Sequence, residues 1–278
     1  MNQLPDRRSP WRKIFALPTE HGSWIWWIGP LLLGTAAAGK VSLDLLLLTA
    51  ALLFAFLIRQ PVILLVKIRS GRRSSADLPP VQTWIAIYGT LLAAAGLALI
   101  IRGHGRLLLL LIPGLPVFAW HLRLVSRREE RGQRGIEIVG SGVLALAAPA
   151  AYWVNGGSDP ALPWLLWTLS WLQSAASIVL VYLRLDQRGW KDKLTVAGRL
   201  SAGSRTLAYH LVDTLASVAL SLLGVLPWLL TVGFSLMLID ALIGVLQPAV
   251  GQLPTRIGLR QLFASVFFYA LAALSFAM

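Results

Sequence analysis

Polar residues with chemical potential stand inside, or at the edges of, long apolar runs. Glu20 and His21 open the first run, just after Arg7, Arg8, Arg12 and Lys13. Imidazole titrates near neutral pH, so this pair suits proton transfer. The alternative is an interfacial anchor or a salt bridge to a loop arginine. Arg59 lies inside the second run and Lys67 at its end. Both could hold an anionic head group. Asp240 lies in a late run, with Gln247 farther along the same helical face. His210, Asp213, Thr214, Ser217 and Ser221 recur at helical spacing and form one polar stripe. A charge within lipid costs at least ~2.5 kcal/mol unless it pairs or reaches water. Arg59, Asp213 and Asp240 fall at matching depths. That match predicts that Arg59 pairs with one of the acids and floors a cavity open to the cytoplasm. A buried ion pair that only fixes helix register is the alternative. The stripe equally suits helix–helix contact. Gln173, Ser174 and Ser177 are weaker cavity-lining candidates. Asp186 is a candidate in a loop, and His104 and His121 read as interfacial.

The elements that must position these groups are membrane helices. The chain has 278 residues, 56% hydrophobic and only 13% charged, against about 25% charged in a soluble domain. Mean hydropathy is +0.69. Several runs approach the ~18 residues that suggest a span. The fold class is therefore all-α integral membrane. Residues 1–21 read as a basic cytoplasmic segment and 22–278 as a single transmembrane domain. Cysteine is absent, which excludes disulfides, thiolate metal sites and cysteine nucleophiles. The net charge of +13 sits in the connections. It predicts orientation by cytoplasmic Lys and Arg and contact with anionic lipid headgroups, not nucleic acid. No P-loop, dinucleotide fingerprint, zinc motif or nucleophile elbow occurs. The four histidines lack ligand spacing, so neither a metal nor another cofactor is expected.

The runs predict nine spans: about 22–38, 42–67, 82–101, 107–122, 136–154, 162–183, 207–226, 227–247 and 257–278. Pro61 should kink the second. Pro113-Gly114 and Pro116 should interrupt the fourth, and Gly224 with Pro227 should divide the long stretch 207–250. Residues 123–134 and 184–205 read as charged cytoplasmic loops. With the N-terminus inside, most Lys and Arg fall on the cytoplasmic side and the C-terminus lies outside. Ala36-Ala37-Ala38 after an apolar run also resembles a signal-peptide cleavage site. The length of the run and the further spans favour an uncleaved first helix.

Pro18-Thr19-Glu20-His21-Gly22-Ser23-Trp24, followed by Gly29-Pro30 and Leu33-Gly34, resembles the opening signature of the YwiC-like family of bacterial membrane proteins. Arg59-Gln60-Pro61 with Lys67, and Tyr209-His210, are similar to later pieces of that family. The resemblance implies a multi-pass protein of the bacterial cytoplasmic membrane and little chemistry. The nine-span layout, with larger polar loops after spans two, four and six, is also similar to UbiA-type intramembrane prenyltransferases. That family holds Mg²⁺ and a prenyl diphosphate on two Asp-rich motifs. Here the first corresponding loop has only Asp77, and the second has Asp186 and Asp192 at the wrong spacing. Three functions follow. One is an isoprenoid- or lipid-binding or -modifying protein with a cytoplasm-facing cavity, using Arg59 and Lys67 for the head and Glu20, His21 or His210 for proton transfer. The others are a small-solute transporter and a noncatalytic membrane assembly factor. The oligomeric state does not follow from the sequence.

Overall fold

The computed structural model describes residues 13–18, 22–129, 132–190 and 194–277. Among these the chain is helical, with no strand. The helices are α1 (Lys13–Ala16), α2 (Ile25–Ala38), α3 (Asp44–Arg69), α4 (Leu78–Ile101), α5 (Leu111–Arg127), α6 (Arg134–Ala145), α7 (Ala147–Val154), α8 (Leu162–Gln187), α9 (Val196–Leu222), α10 (Trp228–Leu246) and α11 (Pro254–Ala277). Among the described residues, seven helical segments are long and apolar enough to cross a membrane. Two of the nine expected spans fall short. The segment 22–38 consists of a 3-10 turn and the 14 residues of α2; at 1.5 Å per residue, 14 residues give ~21 Å against a ~30 Å core. α9 has 27 residues but carries Arg199, Arg205, His210 and Asp213.

Boundaries moved where capping outweighs hydropathy. The expected loop 184–205 is shorter, because α8 runs on to Gln187 and α9 starts at Val196. Thr195 begins α9 by accepting the Gly198 N–H at 3.2 Å. The span expected at 136–154 is broken into α6 and α7. Pro149 offers no N–H to the Ala145 carbonyl, and Leu146 N–H turns back to Val143. The Gly142 carbonyl accepts the Trp167 indole N–H at 2.8 Å. The break at Gly224 and Pro227 stands as expected: Gly224 has φ +70° and Pro227 precedes α10.

The chain divides into two compact units. The first comprises residues 1–21 and 42–136. Its centre is the α3–α4 pair, joined by α1 and α5. Phe15, fully buried, packs with Leu64 and Val81. Gln60 donates to the Ile14 carbonyl at 3.2 Å and Tyr88 to that of Ala16 at 3.2 Å. At the opposite end of α3, Asp44 pairs with Arg102 and with His104 Nε2.

The second unit comprises residues 22–41 and 137–278. α8 is its axis and packs against α2, α7, α9, α10 and α11. Small residues set the spacing. A Cβ on Gly34 would stand 2.1 Å from the Ala148 carbonyl oxygen of α7, and one on Gly29 would enter the Tyr269 ring of α11. A Cβ on Gly203 would meet Val245 at 2.5 Å, so α9 and α10 close only over a glycine.

Candidate functional site

The interior of the second unit is polar along two facing helices. α8 buries Ser170, Gln173, Ser174, Ser177, Arg184 and Gln187, spaced three or four residues apart or at multiples of a turn. α9 buries His210, Asp213, Thr214, Ser217 and Ser221, the stripe expected from the sequence. His210 and Asp213 line a tight seam with Gln173, Ser177, Phe234 and Met237. His210 Nδ1 lies 3.0 Å from the Thr206 carbonyl. Facing a carbonyl, Nδ1 is the N–H donor of that bond. Asp213 is 3% exposed. The Gln173 side-chain oxygen is buried without a hydrogen-bond donor among the described residues.

Beside this seam a cleft of about 150 Å³ opens between the start of α2, the start of α6, the later half of α8 and the first half of α11. Its exposed mouth is at Gly22, Glu137 and Gly258. Apolar walls come from Ile25, Ile178, Val181 and Leu262. Its floor is polar: Ser177 and Ser265, 2% and 1% exposed. Ser177 belongs to both the seam and the cleft. Its Oγ accepts from Gln173 at 3.1 Å and from Gln261 at 2.8 Å. Gln173 also donates to Ser265 Oγ at 3.2 Å. On the rim, Tyr182 donates to Glu137 at 2.6 Å.

A further cluster closes one end of the unit. Arg184, only 5% exposed, donates to the Gly244 carbonyl at 2.8 Å and to that of Gln247. Gln187 adds a bond to Gly244 at 3.1 Å, and Arg199 one to Leu246 at 2.8 Å. These carbonyls lie in or just beyond the last turn of α10 and have no intrahelical partner, so the side chains act as its C-terminal cap. This is structural chemistry, not an anion site.

The predicted residues separate. His210 and Asp213 come together in the seam. Asp240 finds its cation on α11, where Arg260 reaches its carboxylate at 2.5 Å. Arg59 and Lys67 belong to α3 of the first unit; Arg59 lies 5.3 Å from the centroid of the Phe56 ring. Asp186 is exposed in the last turn of α8. Glu20 and His21 lie outside the described residues. Sequence reasoning passed over Arg260, Gln261 and Ser265. Their signal was present: the last two are polar residues four apart on an apolar helix. Among the described residues, no cluster of three His, Asp or Glu side chains is placed to hold a metal ion. The arrangement can exchange a proton at His210 or Asp213, and it can hydrogen-bond a small polar group at the cleft floor.

The apolar helices define a multi-pass membrane protein. Residues 17–152, slightly less than half of the chain, match the family model described as YwiC-like protein. That stretch, with its Thr19-Glu20-His21-Gly22-Ser23-Trp24 opening and its Arg59-Gln60-Pro61, is similar to that family, the resemblance its motifs carry. Tyr209-His210 lies beyond the match. No curated protein and no solved structure matches the chain.

Proposed function

We propose that the protein binds an isoprenoid or other long-chain lipid in the cleft of its second unit. The observation that carries this is the grading of that cleft: exposed mouth, apolar walls, polar floor. Binding pockets for apolar ligands have this make-up, with a few placed polar groups fixing orientation. At about 150 Å³ the cleft takes one end of such a molecule, the remainder lying along the apolar helix surfaces. His210 and Asp213, one Ser177 side chain away, are the groups from which a modifying activity would draw a proton. In this reading the short α2 and the polar α9 complete nine spans, with the N-terminus cytoplasmic, the C-terminus outside and the mouth facing the cytoplasm. That layout is UbiA-like in count and connection only. The test is mass spectrometry of the protein purified in mild detergent. A single co-purifying lipid class, lost when Val181→Trp fills the wall, supports the proposal. The same mixed lipid complement on both proteins contradicts it.

A second reading, small-solute transport, draws on the buried Asp213 and His210 and on the Asp240–Arg260 pair as coupling groups. Uptake or efflux of a solute by proteoliposomes, abolished by Asp213→Asn, would favour it.

A further inference from the structure

Building on the lipid-binding reading, on which this step rests, we infer that the cleft floor holds an uncharged alcohol, not a phosphate or diphosphate. A serine oxygen can accept two hydrogen bonds and donate one. Ser177 Oγ already accepts from Gln173 and Gln261, so its own O–H is what remains. Ser265 Oγ accepts from Gln173. Among the described residues neither hydroxyl proton is committed to an acceptor. Two buried donors therefore line one small space, and a single ligand oxygen between them would accept both.

The charges in view favour the alcohol. Among the described residues, the charged group on the walls is Glu137, an acid, and no Lys or Arg lines the cleft. Phosphate recognition relies on Arg, Lys or fixed N–H groups. A buried anion without such partners is strongly disfavoured.

The test uses the purified full-length protein in detergent, with thermal unfolding and a binding titration against geranylgeraniol and geranylgeranyl diphosphate. The alcohol is expected to raise the melting temperature and the diphosphate to leave it unchanged. Ser265→Ala should weaken alcohol binding ~2–10-fold, the equivalent of one hydrogen bond. Diphosphate binding as tight as the alcohol's, or unchanged alcohol affinity in Ser265→Ala, overturns the head-group assignment and leaves lipid binding standing. Stabilisation by neither compound overturns both.

Discussion

Gln261 on α11 donates to Ser177 on α8 at 2.8 Å, and that bond joins the cleft to the polar seam. Gln173 reaches the same oxygen from the seam side at 3.1 Å. One hydroxyl thus couples three side chains on two helices. Ser177→Ala removes the shared acceptor: the half-buried Gln261 amide loses its partner, while Gln173 keeps its bond to Ser265. A donor left unpaired costs about 1–3 kcal/mol when buried. A lowered melting temperature is expected, and a double-mutant cycle with Gln261→Leu should show strong coupling. Independent, additive effects would show that the network is not one unit.

Two of the signature glycines, Gly29 and Gly34, are close-approach positions. Gly34→Ala would drive a methyl group against the Ala148 carbonyl, a backbone atom that cannot rotate away. Overpacking of this kind costs about 1–3 kcal/mol. Gly96 on α4 has nothing within 4 Å of where its Cβ would be, so Gly96→Ala should be neutral or gain about 0.5–1 kcal/mol. Thermal unfolding of the two variants side by side checks the contrast.

Much of this was legible and some was not, for identifiable reasons. The helix ends at Gly39, Gly224 and Pro227 follow from residues that cannot continue an α-helix. Hydropathy mistook the first turns of α9 for loop because Arg199 and Arg205 sit there, while Thr195 caps the helix regardless. The His210–Asp213 stripe was readable from helical spacing. The partner of Asp240 was not: depth matching drew attention to Arg59, yet Arg260 on an adjacent helix does the pairing. Depth along the membrane is readable from sequence; the identity of the neighbouring helix is not.

Arg184 should resist replacement by lysine. It serves two backbone carbonyls of α10 from a buried position, both through Nη1, and a guanidinium keeps its charge on burial where a lysine amine gives it up readily. Arg184→Met should cost about 1.5–3 kcal/mol, as for a hydrogen bond to a charged group. Arg184→Lys should recover only part of that, as read by thermal unfolding.

Asp159 gives a pH-dependent contribution. Its carboxylate accepts the Ala161 N–H at 2.7 Å and the Leu162 N–H at 2.9 Å at the start of α8. These bonds, that to Leu162 foremost, hold its pKa below the ordinary 3.8. A depressed folded-state pKa adds stability that is fully present above the unfolded value and fades as pH falls through the folded one. Asp159→Ala should therefore melt below the parent protein at neutral pH, and the gap should close under acid conditions below about pH 4.

The absence of cysteine gives a clean background for topology. Ser158 follows α2 and precedes α9, so it reports on α2. If α2 crosses, a cysteine at Ser158 and the N-terminus lie on opposite membrane faces; if it does not, they lie on the same face. Labelling of Ser158→Cys by an impermeant maleimide in intact cells, with an N-terminal tag reachable only after lysis, supports a crossing by α2. Protection of both from outside contradicts it.

The most direct test of the lipid cleft is photo-crosslinking with a long-chain alcohol carrying a diazirine near its hydroxyl, mapped by mass spectrometry. Adducts at Ile25, Val181 and Leu262 are expected, and they should disappear in Val181→Trp. Adducts confined to outward residues such as Phe263, 70% exposed, and Phe267, 52% exposed, would show ordinary bilayer contact and contradict a lipid site inside the second unit.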